Sequence, residues 1–266
     1  MREHKIYGLN VTEHGENNSQ AIIFIHAFPL CNRMWDPQAE YFKTKYRVVV
    51  YDLRGFGHSE INDGQFPVDS HVDDLNSIID KLNINKPIIC GLSMGGYIAL
   101  RALEMNQDKF KAVILSDTKA EADANAAKIK RAEQIKLIKS GGKNNFFEGF
   151  INNALSESTL KGNEEKQKIV KFLKEMMGWQ SDTGICAGLM TLAARTDTTD
   201  SLEKVKIPAL ILVGENDKLV PPEFSKLMNE KITNSKLERI PESGHFPNLE
   251  NPEAFNRAIE NFIENL

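Results

Sequence analysis

Ser93 lies in Gly91-Leu92-Ser93-Met94-Gly95, between the apolar run PIICG and the helix-forming stretch YIALRAL. A strand followed at once by a helix must turn sharply at the serine, which strains its backbone and exposes its hydroxyl. Gly91 and Gly95 suit backbone that passes too close for a Cβ, and Gly96 suits close packing of the helix. The helix start also sets the positive end of its dipole beside any oxyanion formed there. A serine hydroxyl is a weak nucleophile and needs a base. Of six histidines, His245 is the candidate. It sits in Pro241-Glu242-Ser243-Gly244-His245-Phe246-Pro247, a loop that can present a side chain above a sheet edge. His4 and His14 fall in a polar N-terminal stretch, and His71, near a helix start, reads as solvated. His26 reads as a loop-organising residue rather than a second base. An imidazole base needs a carboxylate to hold its tautomer. Asp217, in Val213-Gly214-Glu215-Asn216-Asp217 just past PALILV, is preferred. Asp117, which follows AVILS, is the rival.

Two backbone N–H groups must meet the oxyanion. Met94, next to the serine, offers one. Phe28, in His26-Ala27-Phe28-Pro29, offers the other, since Pro29 has no N–H. The glycine-rich DLRGFGHS has neither the Walker spacing nor G-x-G-x-x-G, so it reads as a braced turn rather than a phosphate cradle.

These residues need a scaffold. Ala21–Ile25, Arg47–Tyr51, Pro87–Gly91, Ala112–Ser116, Pro208–Val213 and Lys236–Ile240 are short apolar, β-branched runs. Such runs read as strands buried on both faces of a parallel sheet. Asp69–Leu82 reads as a helix capped by Asp69, with Val72, Leu75, Ile78, Ile79 and Leu82 on one face. Alternating strand and helix predicts a doubly wound α/β sheet. From Lys119 to about Lys204 the alternation stops, and helices are expected at Ala124–Lys139, Lys143–Leu155, Glu164–Met177 and Gly184–Arg195. Lys119 to Gln180 carries 12 basic and 8 acidic residues, which reads as a solvated helical face.

The 266 residues suffice for a sizeable core, and the composition (41% hydrophobic, 26% charged) is that of a globular chain. A net charge of −4 argues against a nucleic-acid partner. No apolar run reaches membrane-spanning length, and no secretory signal pattern opens the chain. Cys31, Cys90 and Cys186 are an odd set with no zinc spacing, which suits a reducing compartment, by expectation the cytoplasm.

The segments HAFPLCNRMWDPQ, YDLRGFGHSE, CGLSMGGYIAL, LILVGENDKLVPP and PESGHFPNLENPEAF together resemble the α/β-hydrolase superfamily across nearly the whole chain. MWDPQ and GLMTLAARTDTT are similar to its bacterial branch of carboxylesterases, cofactor-free haloperoxidases (perhydrolases) and 3-oxoadipate enol-lactone hydrolases. The resemblance implies an α/β-hydrolase core of 1–117 and 205–266, with a helical lid at 118–204 inserted before the acid-bearing strand. It implies a Ser93, Asp217, His245 triad, an oxyanion hole at Phe28 and Met94, and no cofactor or metal. Ala27 stands where the family commonly has glycine. A serine at 93 speaks against haloalkane dehalogenases and epoxide hydrolases, which use aspartate there.

The expected activity is hydrolysis of small carboxylic esters or lactones through an acyl-enzyme. Enol-lactone hydrolysis, perhydrolysis and C–C bond hydrolysis are alternatives that keep the triad. A ligand-sensing signalling protein on a hydrolase scaffold is the non-enzymatic alternative. Trp35, Phe146, Phe147 and Trp179 are expected to bind substrate. Met34, Phe150, Met176 and Met177 could join them, or all could simply pack the lid. No basic residue stands out as a substrate-carboxylate ligand. Arg195 and Asp197 are expected to brace the return from lid to core.

Overall fold

In the computed structural model, which describes residues 1–15 and 18–266, eight strands make one sheet. They are β1 (Arg2–Ile6), β2 (Leu9–His14), β3 (Ala21–Ile25), β4 (Arg47–Tyr51), β5 (Ile88–Leu92), β6 (Ala112–Ser116), β7 (Ala209–Gly214) and β8 (Ser235–Ile240). Across the sheet the order is β1-β2-β4-β3-β5-β6-β7-β8. From β4 to β8 every pairing is parallel, and β1 and β2 add an antiparallel hairpin at one edge. Every residue of β3, β5, β6 and β7 is buried, so neither face of these strands needs a polar residue.

Two strand expectations need correction. β8 (SKLERI) is the far edge and only Ile240 is buried, so it is not covered on both faces. Its charges suit an edge that must not pair with another chain. The hairpin at the other edge was not expected from the polar N-terminus. In β2 the inward positions are Leu9, Val11 and Glu13, and the acid in that series hides the alternation. Glu13 is buried because Arg47 Nε at 2.5 Å and His4 Nε2 at 2.9 Å pair with it.

The helices between the early strands are α1 (Asp36–Phe42), α2 (Val68–Lys81) and α3 (Met94–Asn106). Between β6 and β7 come α4 (Asn125–Lys139), α5 (Lys143–Ala154), α6 (Glu157–Leu160), α7 (Glu164–Gly178) and α8 (Asp182–Ala194). Then follow α9 (Pro222–Lys231), α10 (Pro247–Glu250) and α11 (Pro252–Ile263). α2 starts after Pro67 without a side-chain cap, and Asp69 in its first turn instead accepts from Arg101 Nε at 2.7 Å. His71 is not solvated. It shares the buried stripe of Leu75 and Ile78, and among the described residues neither ring nitrogen has a hydrogen-bond partner. Burial, with the nearby Arg54 charge, lowers its pKa to about 3, so the ring is neutral.

Entry and exit of the helical insertion are tied together. Arg195 donates to Asp123 Oδ1 at 2.7 Å and to the carbonyl of Glu121 at 2.6 Å. Its guanidinium lies 4.1 Å from the centre of the Tyr97 ring in α3. Asp197 accepts from the Ala122 amide at 3.0 Å.

Candidate active site

The serine stands where β5 becomes α3. Its φ of 54° and ψ of −112° lie outside the regions an L-residue prefers. The turn is possible because the residues two before and two after the serine are glycines. A Cβ on Gly91 would lie 2.2 Å from the Gly95 carbonyl oxygen, and one on Gly95 would lie 2.1 Å from the Ile25 carbonyl oxygen. The end of β6 clamps the turn from the side: the Ser93 amide donates to the Ser116 carbonyl at 2.9 Å, and Thr118 Oγ1 donates to the Ser93 carbonyl at 2.9 Å.

His245 and Asp217 come from the loops after β8 and β7. His245 Nδ1 and Asp217 Oδ2 are 2.7 Å apart, and both side chains are buried. Asp217 Oδ1 accepts from the amides of Leu219 at 2.8 Å and Val220 at 3.0 Å, which orients the carboxylate. The two loops are stitched to each other, since the Asn216 amide donates to the Ser243 carbonyl at 2.8 Å. The histidine loop is also fastened to the insertion. The His245 amide donates to the Ala154 carbonyl at 2.6 Å, and Glu250 accepts from the amides of Gly244 at 2.8 Å and Ser156 at 2.9 Å. With Nδ1 engaged by a carboxylate, Nε2 is left as the proton acceptor. Among the described residues no hydrogen bond joins Ser93 Oγ to His245, but both residues line one cavity of about 250 Å³. Such a bond often forms fully only when substrate is bound.

Asp117 does not contact the imidazole by a hydrogen bond. It is buried beside Asp217 and accepts from the Gly214 amide at 2.8 Å and Ser116 Oγ at 2.6 Å. Among the described residues, neither the Phe28 nor the Met94 amide is used by another protein acceptor. The Phe28 loop is held by His26, whose Nε2 accepts from the Leu53 amide at 2.9 Å while Nδ1 donates to the Ala27 carbonyl at 2.9 Å. Burial lowers the His26 pKa despite the nearby Asp52 charge, so this ring is a neutral brace. Asp52 pins the DLRG turn, accepting from the amides of Asn32 at 2.7 Å and His58 at 2.9 Å. The three cysteines are free and buried, and burial pushes the Cys31 thiol up to about 12.

The aromatic expectations divide. Phe150 lines the cavity with Phe28, their ring centres 6.4 Å apart. Phe146 lies close behind, 6.3 Å from Phe28, and Phe147 is buried beside Phe146. Trp35 is not a wall of the cavity. It is fully buried in the core, 4.9 Å from Phe24 and 6.1 Å from Phe255. Trp179 is not one either. It is 47% exposed and sits under the Arg33 guanidinium on the outer surface. Met34, Met176 and Met177 are fully buried packing residues.

The cavity also carries residues not singled out in the sequence, among them Tyr97, Lys119, Lys130, Arg131 and Gln134. Tyr97 follows Ser93 by one helical turn, a spacing that could have marked it. The α4 cations were hidden in a charge run that read as solvent-facing. Arg131 Nε donates to Asp123 Oδ2 at 2.9 Å, and Asp123 serves Arg195 as well. Burial pushes the Asp123 carboxyl up, but the two guanidiniums outweigh it and hold it below the usual range. Burial, helped by the Arg195 charge, lowers the Lys119 pKa.

A mostly parallel sheet, a strained serine between a central strand and the next helix, and an acid and a histidine on two later loops define a hydrolase scaffold. The family described as alpha/beta hydrolase fold matches residues 20–252, and the chain belongs to it. It is 29% identical over 258 residues to 3-oxoadipate enol-lactonase 2 of Acinetobacter baylyi, covering 95% of this chain and 91% of that protein. It is 29% identical over 268 residues to the bifunctional esterase/perhydrolase of Acinetobacter calcoaceticus, covering 94% and 93%. Among solved structures, the malate-bound thermophilic esterase from Thermogutta terrifontis superposes with a TM-score of 0.93 at 31% identity, covering 100% of this chain and 99% of that one. No helix among the described residues is long and apolar enough to cross a membrane.

Proposed function

We propose that the chain is a serine hydrolase of small carboxylic esters or lactones. The reading is carried by Ser93, held in a strained turn on the same cavity as an imidazole oriented by Asp217. Ser93 Oγ attacks the carbonyl carbon as His245 Nε2 takes its proton. The Phe28 and Met94 amides receive the oxyanion. His245 then returns the proton to the leaving oxygen, which departs as an alcohol from an ester or stays tethered as a hydroxyl from a lactone. Water, activated by the same imidazole, releases the acid and restores Ser93. No step needs a cofactor or metal. Residues 118–204 act as the lid on a core of 1–117 and 205–266. Free, buried cysteines agree with a reducing compartment such as the cytoplasm. A serine-directed fluorophosphonate is expected to label one residue, Ser93, and block turnover of p-nitrophenyl acetate. Labelling elsewhere with turnover intact would reject the assignment.

One observation favours the lactonase alternative over a neutral-ester enzyme. Lys119, Lys130 and Arg131 line the cavity against a single acid, Asp123, which Arg131 and Arg195 already share. Such a wall suits a lactone or half-ester bearing a free carboxylate. Monomethyl adipate should then exceed dimethyl adipate in kcat/KM by about tenfold at low salt, with the gap closing as ionic strength rises. Equal rates at every ionic strength would leave the neutral ester as the better reading.

A further inference from the structure

Asp117 and Asp217 place two carboxyl groups in one buried site. Asp117 follows β6 with a left-handed φ of 47°, and Asp217 lies in the loop after the neighbouring β7. One ligand atom from each of Asp117, Asp217 and His245 lies within 4.8 Å of the others. Donors are shared unevenly between the acids. Asp217 takes the His245 ring and two amides, whereas Asp117 takes one amide and the Ser116 hydroxyl. Among the described residues no lysine or arginine pairs with either acid. Lys119, two residues along, directs its ammonium onto the Phe224 ring at 4.9 Å. Tyr97 of α3 is a phenol kept neutral first by burial. The titratable groups facing Asp117 are therefore Asp217 and His245. Two ionised carboxylates this close in a buried site repel, so the pair retains one proton. The less well solvated acid takes it. Burial pushes the Asp117 carboxyl well above the ordinary range, and the Asp217 charge adds to the push.

We propose that Asp117 is a positioning residue: its neutral carboxyl donates a hydrogen bond to Asp217 and holds that carboxylate against His245. The proposal rests on Asp217 being the acid of the proposed hydrolase. It gives the end of β6 a double task, because Ser116 and Thr118 already clamp the Ser93 backbone. Residues 116–118 thus register the nucleophile on one side and the acid on the other. A neutral donor also leaves one negative charge beside the imidazole instead of two.

The test compares Asp117→Ala, which removes the donor, with Asp117→Asn, whose amide keeps a donor that has no proton to lose. For Asp117→Ala, kcat is expected to fall about tenfold or more with KM within about twofold. Asp117→Asn is expected to restore most of that loss, with the acid limb of the kcat/KM profile unmoved. Difference infrared spectra of Asp117→Asn against the parent at pH 7 are expected to show one neutral carboxylic-acid C=O band missing. That measurement does not depend on activity and stands even if Asp117→Ala fails to fold. An unchanged kcat in Asp117→Ala, no lost acid band, or an acid limb moved down by roughly half a pH unit in Asp117→Asn would overturn the proposal. A third pattern would also remove Asp217 from the proposed mechanism: Asp117→Asn crippled about 10³-fold and Asp217→Asn nearly active. Fluorophosphonate labelling of Ser93 would survive that outcome, so the two failures are distinguishable.

Discussion

Ser93 holds a conformation that costs on the order of 1–3 kcal/mol, and its strain is a property that can be measured. Glycine accepts that backbone freely. Ser93→Gly is therefore expected to raise Tm by a few degrees while kcat falls about 10⁴-fold. Ser93→Ala is expected to lose the same activity without the gain in Tm, because alanine keeps the Cβ that makes the turn costly. Calorimetry on both variants decides: a lower Tm for the glycine variant would mean the hydroxyl, not the turn, matters to stability. The three residues of the candidate triad were legible because each combines a chemical type with local turn residues that present it. Trp35 and Trp179 were not legible as to place. An aromatic side chain suits a cavity wall, a core and a cation-covered surface equally, and only the packing of β3 and α11 shows that Trp35 belongs to the core. The burial of His71 is legible in the sequence, since positions 71, 75 and 78 share one face of the helix.

Among elements, the apolar runs gave away six strands; β5 and β7 begin one residue later than expected, each just past a proline, and β8 begins one residue earlier. Pro87 and Pro208 have no N–H to give a ladder and join the sheet only through their carbonyls, which accept from the Lys111 and Val113 amides. The hairpin of β1 and β2 stayed hidden because its buried Glu13 finds its partners on other strands. The join between insertion and core rests on Arg195, whose side chain and that of Asp123 are each 2% exposed. Removing one partner of a buried pair is costly, but Asp123 keeps Arg131. The loss in Arg195→Ala is thus put at about 2–3 kcal/mol, below the full penalty for an abandoned charge. Tm is expected to drop by roughly 5–10 °C, with KM within about twofold. The pH dependence has a definite sign. The Asp123 carboxyl is depressed in the folded state, so its contribution is complete above the unfolded carboxylate pKa of ~3.9 and is lost as pH falls through the lower folded value. The Tm gap between parent and Arg195→Ala should be widest near neutrality and narrow below about pH 4. A gap that stays constant down to pH 3 would assign the effect to packing on Tyr97 instead of charge. A large KM effect at unchanged Tm would make Arg195 a substrate ligand.

At the scale of the molecule, the sheet supplies Ser93 and His245, and the insertion supplies the opposite wall of the cavity through Ala127, Gln134, Phe150 and Leu192. This shared construction sets a size limit. The cavity, at about 250 Å³, is smaller than the ~300–1,000 Å³ typical of sites for drug-sized ligands. Phe28, Phe150, Leu192, Leu219 and Val220 make the apolar part of its lining, where an acyl chain can lose contact with water. Each methylene that fits gains up to ~0.8 kcal/mol, or about fourfold in kcat/KM, until the chain meets the wall. Across p-nitrophenyl acetate through palmitate, kcat/KM is expected to climb, peak between C2 and C6, and then fall. Since the site lies between core and insertion and not on an open face, the rate should pass the solubility limit of each ester without a jump. A maximum at C12 or beyond, or a rise in rate once substrate aggregates, would mean that the walls of this cavity do not set acyl size.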